Sequence, residues 1–319
     1  MSSPTFFLSV KNLQTVYSLG DDRLLKAVNG VSIDIKKGEI LGLAGESACG
    51  KSTLAYSILR LLPANARIIG GEVILNGKDL LKMTEDEFNE VRWKEISIIF
   101  QGALNALNPT MTIVNQIVEP IITHETISKE MAKTRAVKFI EQVGISKQFI
   151  NSYPHELSGG MKQRAMIAMA LACEPKMLIA DESTTALDVI VQRKILDLLK
   201  EIQRKMNLSM IIISHDLSVI AQTCHRCAIM YAGKIVELAN IESLFNENRH
   251  PYTKALINAF PDIRSNKLIL GIPGAPPNLI NLPSGCSFHP RCPLAQSICS
   301  NIEPPLEEKH GHLVACHFA

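Results

Sequence analysis

A glycine-rich loop near the N-terminus limits the possible folds of this chain more than any other segment. Residues 45–53 read GESACGKST and fit the pattern G-x-x-x-x-G-K-[ST]. The loop follows an apolar run at residues 39–44, which is typical of a buried strand, and precedes a helical pattern through Leu54, Ile58 and Leu61. In that context backbone N–H groups wrap a phosphate at the start of a helix, which disfavours a chance turn. We therefore expect an α/β fold with a phosphate loop.

The loop predicts contacts to both phosphate and metal. Lys51 supplies a positive charge for the β- and γ-phosphates of ATP, and the Ser52 hydroxyl is placed to bind Mg²⁺. The loop residues expected to contact ATP are Gly45, Ser47, Cys49, Gly50, Lys51, Ser52 and Thr53. For Cys49 a redox switch is the alternative to a small side chain without a special role, and the second is favoured because nothing in the sequence indicates a lowered thiol pKa.

Two acids end another apolar strand. Residues 177–180 read MLIA and run directly into Asp181 and Glu182. An Asp that holds Mg²⁺, followed by a Glu that polarises the attacking water, is the carboxylate pair expected of an Mg-nucleotide site. Taken alone, the acids fit a solvated strand end equally well. Together with the phosphate loop they predict hydrolysis of Mg-ATP.

The order of strand and helix patterns gives the fold class. Residues 6–10 and 31–35 indicate antiparallel strands, and strands are also expected at residues 39–44, 97–100, 177–180 and 210–213. Helical spacing replaces strand signals between about residues 103 and 165, which indicates a helical insertion. A helix with one buried face is predicted by Leu187, Val191, Ile195, Leu198 and Ile202. We expect an α/β P-loop NTPase core with an antiparallel β subdomain, a helical subdomain and a covered parallel sheet.

The character of the sequence changes near residue 260. Six prolines break any long helix beyond that point: Pro273, Pro276, Pro277, Pro283, Pro290 and Pro293. We expect a nucleotide-binding domain at residues 1–260 and a small, loop-rich C-terminal module at residues 261–319.

The composition of the chain limits its possible cellular location and its possible binding partners. The net charge is +2 and no basic stripe stands out, so no nucleic-acid partner is expected. No stretch reaches the roughly 18 unbroken apolar residues of a spanning helix, and residues 1–10 lack the pattern of a signal peptide. We expect a cytoplasmic chain that works at a membrane only by docking on proteins embedded there.

A third motif lies between the two halves of the expected site. Residues 157–164 read LSGGMKQR, within the longer stretches YPHELSGG at residues 153–160 and, further on, ADESTTALD at 180–188 and PRCP at 290–293. With these the chain resembles the ATP-binding cassette superfamily, and it is most similar to ATPase subunits of dipeptide and oligopeptide importers. The resemblance covers about residue 5 to the C-terminus. Ala48 and Ser183 depart from it, since many relatives have Gly and Pro there.

The resemblance implies a site that two subunits complete. Ser158 and Gly160 open a helix that can grip a γ-phosphate, and in this family they cap the nucleotide held by the opposite subunit. Asp188 resembles the loop that couples the two sites. A second ATPase subunit, identical or paralogous, is therefore expected.

Three further positions match the family pattern. Gln101 resembles the Gln that senses Mg²⁺ and links the site to the helical insertion. His215 resembles the switch histidine on the γ-phosphate, although a lone His is more often structural. Tyr17 is the candidate for stacking on adenine, with a core aromatic as the alternative.

Four of the eight cysteines crowd into the C-terminus: Cys286, Cys292, Cys299 and Cys316. In a reducing compartment such a group of cysteines favours metal binding over disulfide bonds. Its spacing matches neither the closely spaced cysteine motif of ferredoxins nor the paired C-x-x-C motifs of zinc knuckles. A [4Fe–4S] cluster is favoured by the irregular spacing, by the proline after Cys292 and by similarity to some peptide-importer ATPases. Zn²⁺, with His289, His312 or His317 as a substitute ligand, and unligated or disulfide-bonded cysteines are the alternatives. The expected role is a structural staple.

These patterns predict the ATP-hydrolysing, energy-coupling subunit of an importer of dipeptides or oligopeptides, peripheral on the cytoplasmic face of the membrane. The resemblance implies two transmembrane permease subunits and, through them, an extracytoplasmic solute-binding protein. An importer of another solute, such as nickel or an oligosaccharide, is the main alternative. A soluble non-transport ATPase is disfavoured because the chain lacks a long coiled coil and a second cassette, and a nucleotide sensor without turnover is disfavoured by Glu182.

Overall fold

The computed structural model describes residues 6–20, 23–102, 106–183, 187–259 and 271–319. The chain divides into two compact units. The first comprises Met1–Lys36, Ile40–Leu81 and Ile213–Ala319, and the second comprises Lys37–Glu39 and Lys82–Ile212.

The strands and helices follow each other in the alternation that the sequence predicts. The strands are β1 (Leu8–Ser18), β2 (Leu24–Ile35), β3 (Ile40–Ala44), β4 (Ala66–Leu75), β5 (Lys78–Asp79), β6 (Ile96–Ile99), β7 (Met177–Asp181), β8 (Ser209–Ile213), β9 (Arg226–Tyr231), β10 (Lys234–Asn240), β11 (Glu307–Lys309) and β12 (His312–Val314). The helices are α1 (Lys51–Ile58), α2 (Glu85–Val91), α3 (Ile113–His124), α4 (Lys129–Gln142), α5 (Gly159–Ala170), α6 (Val189–Met206), α7 (Leu217–Thr223), α8 (Ile241–Asn246), α9 (Pro251–Asn258) and α10 (Ser297–Asn301).

An antiparallel sheet in the first unit confirms the predicted β subdomain. Its strand order is β2-β1-β4-β5, with Leu8 opposite Ile35 on one side and Leu75 on the other. β1 is longer than its pattern indicates because the register shifts after Val10, where Asn12 adopts a φ of 45°. A bulge of this kind interrupts the two-residue alternation on which the prediction depends.

The apolar runs of the sequence become buried strands in both units. In the first unit the strand order is β11-β12-β10-β9-β3, with β3 parallel to β9. In the second unit the order is β8-β7-β6, with β6 parallel to β7. Every residue of β3, β7 and β8 is buried, which explains why these strands read as unbroken apolar runs rather than as alternating ones.

The second unit carries the helices of the predicted insertion, α3, α4 and α5. The predicted amphipathic helix is α6, and Ile195, Leu198 and Ile202 are buried as expected. The expectation was wrong at its start, because Leu187 precedes the helix and is half-buried, and Val191 is also only half-buried. Among the described residues, no helix is both long enough and apolar enough to span a membrane.

The described part of the C-terminal segment, residues 271–319, lies in the first unit. Its β11–β12 hairpin extends the sheet by pairing Glu237 of β10 with Val314 of β12. Glu237 is fully buried and accepts hydrogen bonds from the N–H groups of Arg249 (2.8 Å) and His250 (3.0 Å), while its Oε1 lies 2.8 Å from His312 Nδ1. The predicted boundary near residue 260 falls outside the described residues and stays a prediction.

Candidate functional site

The loop of residues 45–53 joins β3 to α1, as its pattern predicts. Gly45 and Gly50 have φ values of 151° and 108°, and a Cβ on either would overlap a carbonyl oxygen, that of Met230 or of Ala27. Only glycine both adopts such a positive φ readily and lacks the Cβ for which there is no space. Gly50 caps α1 without a side-chain hydrogen bond, so the first N–H groups of the helix point at the loop, as anion binding requires.

Lys51 lies over this loop with 6% of its surface exposed. Its ammonium donates hydrogen bonds to the carbonyl oxygens of Gly45 and Glu46, each at 2.9 Å. The Sγ of Cys49 is 3.6 Å from the same nitrogen. Burial raises the pKa of the Cys49 thiol, and the charge of Lys51 lowers it by less. The thiol therefore stays protonated, which favours the interpretation of Cys49 as a small side chain.

Two other predicted residues lie in the first unit with this loop. The hydroxyl of Tyr17, on β1, is 3.3 Å from that of Thr53, the third residue of α1. His215 is exposed after β8, and the N–H of Ser214 donates to the carbonyl of Leu43, in the strand that leads into the loop, at 3.2 Å. The first unit thus brings Lys51, Tyr17 and His215 to elements adjoining one loop.

The second unit brings together two residues that lie 81 positions apart. β6 and β7 run parallel with Ile99 opposite Ala180, so their carboxyl ends meet at one edge of the sheet. There Gln101 Nε2 donates a hydrogen bond of 2.8 Å to Glu182 Oε2. Asp181, the last residue of β7, is fully buried. Glu182 has a φ of 44°, a conformation that costs energy for a non-glycine residue and is often found at functional sites.

The signature segment forms the start of α5. Ser158 is exposed and caps the helix, since its Oγ accepts a hydrogen bond from the N–H of Met161 at 3.4 Å. A Cβ on Gly160 would lie 2.8 Å from Val191 Cγ1 in the first turn of α6. Asp188 caps that helix by accepting from the N–H of Val191 at 2.9 Å. Glycine at position 160 therefore lets α5 approach α6 closely.

The four C-terminal cysteines line one cavity in the first unit, together with His289 and His317. All four are free thiols, and the N–H of Cys286 donates to the carbonyl of Cys299 at 2.8 Å. Burial raises the pKa of Cys286 and of Cys292. Within the described ranges, no three His, Cys, Asp or Glu side chains are grouped so as to hold a single metal ion. His312 is buried against Glu237 instead of lining this cavity.

Comparisons with known proteins establish the family. Residues 28–185 match the ABC transporter family, and residues 236–299 match the family described as oligopeptide/dipeptide transporter, C-terminal region. The sequence is 45% identical over 313 residues to the oligopeptide transport ATP-binding protein OppD of Escherichia coli (strain K12), covering 97% of this chain and 92% of that one. The chain belongs to the ABC transporter family. It is an ATPase of that family, as the phosphate loop and the carboxylate pair predict.

Another relative and a solved structure also match most of this ABC ATPase. The dipeptide transport ATP-binding protein DppD of Bacillus subtilis (strain 168) is 44% identical, over 97% of this chain and 93% of the relative. Among solved structures, a dimeric ATP-binding cassette in a post-hydrolysis state with ADP and phosphate has a TM-score of 0.66 at 29% identity. The match covers 73% of this chain and 98% of that cassette. The fold predicted from the sequence is confirmed.

Sequence reasoning assigned no chemistry to two residues that contact Glu46 in the phosphate loop of this ABC ATPase. Arg291 makes two hydrogen bonds to the carboxylate of Glu46, at 2.7 and 3.0 Å. The Tyr252 hydroxyl accepts one from the N–H of Glu46 at 2.8 Å. No pattern in the sequence links positions separated by 245 and 206 residues.

Proposed function

We propose that this chain is the ATP-hydrolysing, energy-coupling subunit of an ABC importer for dipeptides or oligopeptides. One observation carries the proposal: the same chain matches the ABC transporter family and, at residues 236–299, the C-terminal region of oligopeptide/dipeptide transporters. Relatives at 44–46% identity bear names of peptide transport ATP-binding proteins.

The proposed ATP site uses the residues predicted from the sequence. Gly45, Ser47, Cys49, Gly50, Lys51, Ser52 and Thr53 hold the phosphates, and Tyr17 stacks on adenine. The hydroxyl of Ser52, the buried carboxylate of Asp181 and the amide of Gln101 supply the oxygen ligands that Mg²⁺ prefers, so the donor set fits this ion. The ion would neutralise charge on the phosphates.

Catalysis is assigned to Glu182, Lys51 and His215. Glu182 accepts the proton of the attacking water, and the hydrogen bond from Gln101 fixes the direction in which its carboxylate points. Lys51, already confined by two loop carbonyls, places its positive charge at the phosphates. His215, exposed after β8, donates to the γ-phosphate as the bond breaks.

A second ATPase subunit is proposed to complete the site, with its Ser158 and Gly160 capping the nucleotide of the first. The exposed position of Ser158 at a helix N-terminus suits a phosphate from another chain. On the same unit, Val189 and Ile190 directly follow Asp188 and are 80% and 70% exposed. These two exposed apolar side chains are available for contact with the proposed second subunit.

Two transmembrane permease subunits are the proposed membrane partners, and a solute-binding protein outside the membrane is the proposed source of the peptide. The chain then lies on the cytoplasmic face as a peripheral subunit. An importer of nickel or of an oligosaccharide stays the alternative, because this subunit is not expected to contact the solute.

We also propose a [4Fe–4S] cluster on Cys286, Cys292, Cys299 and Cys316. Four free thiols around one cavity form the donor set that such a cluster requires. The cluster would staple a loop-rich segment. Iron and sulfide analysis of anaerobically purified protein tests this: about four irons per chain are expected, and one zinc or no metal would contradict it.

The transport function is tested by uptake in a strain of the source organism that lacks this chain. Loss of uptake of a labelled dipeptide and tripeptide is expected, with recovery on adding back the wild-type gene but not the Glu182→Gln variant. Labelled nickel and a labelled trisaccharide are measured in the same strains. Unchanged peptide uptake with loss of either other solute would replace the peptide assignment.

A further inference from the structure

Glu46, inside the phosphate loop, is held on three sides. Its carbonyl accepts a hydrogen bond from Lys51 Nζ at 2.9 Å, and its N–H donates to the Tyr252 hydroxyl at 2.8 Å. Its carboxylate pairs with both terminal nitrogens of Arg291, at 2.7 and 3.0 Å. Glu46 therefore anchors Lys51 through its carbonyl. Glu46 is itself held in place by residues from the C-terminal half of the first unit.

Arg291 is itself fixed by the segment that carries the cysteines. It ends a short 3₁₀ turn, His289–Arg291, directly before Cys292. Its Nε donates to the carbonyl of Pro273 at 2.7 Å, and one terminal nitrogen is 3.3 Å from the Tyr231 hydroxyl. Only 6% of the arginine side chain is exposed, against 23% for Glu46. The guanidinium thus has few alternative positions.

Aromatic packing supports the same contact. The rings of Tyr231, Tyr252 and Phe288 form a cluster with centroid separations of 4.5 to 5.4 Å. The guanidinium carbon of Arg291 lies 5.8 Å from the centre of the Tyr231 ring and 6.0 Å from that of Phe288. Both contacts to Glu46, from Arg291 and from Tyr252, therefore come from one packed group.

A bidentate, largely buried pair is directional, and removal of one partner leaves the other charge without compensation. Loss of Arg291 should let Glu46 turn toward water, and its carbonyl would move with it. Since that carbonyl binds Lys51, the ammonium would lose one of the contacts that define its place in the loop.

We propose that Arg291 is a positioning residue for ATP binding: through Glu46 it holds the phosphate loop in its binding conformation, so nucleotide affinity requires a correctly folded cysteine segment. This inference rests on the proposed phosphate-loop site. It gives the C-terminal segment a role in the ATP site besides its own stability.

The test is a double-mutant cycle on the purified full-length chain, with a fluorescent ATP analogue and Mg²⁺ as the probe. Arg291→Met keeps the apolar stem of the side chain and removes its charge. Glu46→Gln removes the negative charge of the ion pair and leaves the hydrogen bonds of Arg291 to Pro273 and Tyr231. Each single variant is expected to raise Kd about tenfold, which is about 1.4 kcal/mol. The double variant should bind no more weakly than the weaker single one. KM for ATP should rise similarly, with kcat changed less than about twofold.

Lys234→Met is the matched control, because it removes a different ion pair of the same C-terminal segment, that of Lys234 with Glu303. Its Kd should equal that of the wild type, and thermal unfolding should show all variants folded. An unchanged Kd in either single variant, or effects that multiply in the double variant, would overturn the inference. Lys51→Ala separates the two proposals: if it binds the analogue as the wild type does, the phosphate-loop site itself is wrong.

Discussion

At the scale of single residues, the phosphate loop shows why two of its positions require glycine. Gly45 and Gly50 combine a positive φ with a backbone oxygen where a Cβ would lie, whereas Ala48, at a φ of 62°, has a side chain. Positive φ alone is therefore tolerated in this loop. Close approach of neighbouring backbone is what excludes a side chain at the two glycines.

Gly50→Ala and Gly77→Ala separate these two effects. Both glycines have positive φ, of 108° and 80°, but no atom lies within 4 Å of a Cβ built at Gly77. Gly77→Ala should lower the free energy of unfolding by about 1–2 kcal/mol through strain alone. Gly50→Ala should lower it by about 2–4 kcal/mol and abolish ATP binding, because overlap adds to strain. Urea denaturation and nucleotide titration measure both, and equal destabilisation would argue against the overlap.

Glu182→Gln should separate turnover from binding. An amide still accepts the hydrogen bond from Gln101 but cannot take a proton from water. We expect phosphate release to fall by about 10²–10⁴-fold with the affinity for ATP retained. Glu201→Gln, an exposed change in a pair with Lys205 on α6, is the control and should turn over normally. Near-normal turnover by Glu182→Gln would refute its assignment as the base.

At the scale of elements, α6 illustrates how caps and packing set the limits of a helix. Asp188 starts it with a side-chain hydrogen bond, and Asn207 ends it at a φ of 50°, in the left-handed conformation typical of helix ends. Between them Ile195, Leu198 and Ile202 face the core, while Val189 and Ile190 are exposed. The first turn is therefore defined by its cap rather than by burial.

Asp188→Ala should destabilise this first turn. The variant leaves the N–H of Val191 without its acceptor, and the expected loss is about 1 kcal/mol in the free energy of unfolding. Asp188→Asn retains a capping oxygen and should lie within a few tenths of a kcal/mol of the wild type. Urea denaturation compares the three proteins. If the alanine and asparagine variants are equally stable, the cap contributes nothing measurable.

At the scale of the whole molecule, buried polar groups attach the C-terminal segment to the rest of the first unit. Glu237 accepts from two backbone N–H groups and lies against His312, and His250 Nδ1 accepts from the N–H of Tyr252 at 3.0 Å. The contact of Glu237 with His312 joins residues 75 positions apart, and His250 also makes a hydrogen bond with the backbone of Ala315. The segment is therefore held by specific polar contacts as well as by packing.

The stability of this attachment should depend on pH through His250. Burial lowers its pKa to about 4 from the usual 6.5, so between these values the unfolded chain binds more protons than the folded one. The free energy of unfolding is then unaffected above pH 6.5 and falls as the pH drops toward 4. Between pH 6.5 and 5 the loss attributable to His250 should be about 1.5 kcal/mol.

His250→Asn is the comparison, because asparagine keeps an acceptor for the N–H of Tyr252 and does not titrate. Urea denaturation at a series of pH values should show the loss in the wild type and not in the variant. Cys286, Glu237 and His312 face the same region in both proteins, so their contributions cancel. Identical pH profiles would exclude His250 as the cause.

The sequence by itself determined those features that contiguous residues encode. The loop at residues 45–53, the acids Asp181 and Glu182 and the buried strands were all predicted, because motif spacing and apolar periodicity are local properties of a chain. Gln101 was accessible only through family resemblance, and no local pattern places it beside Glu182, 81 positions away.

Only the tertiary structure decided how the C-terminal segment is held and what it contacts. The partner of a charged side chain such as Arg291, and the burial of Glu237, depend on which surfaces pack together rather than on neighbouring residues. No period or motif connects position 46 with position 291. Their contact exists because the fold brings a loop and a distant turn together and buries Arg291.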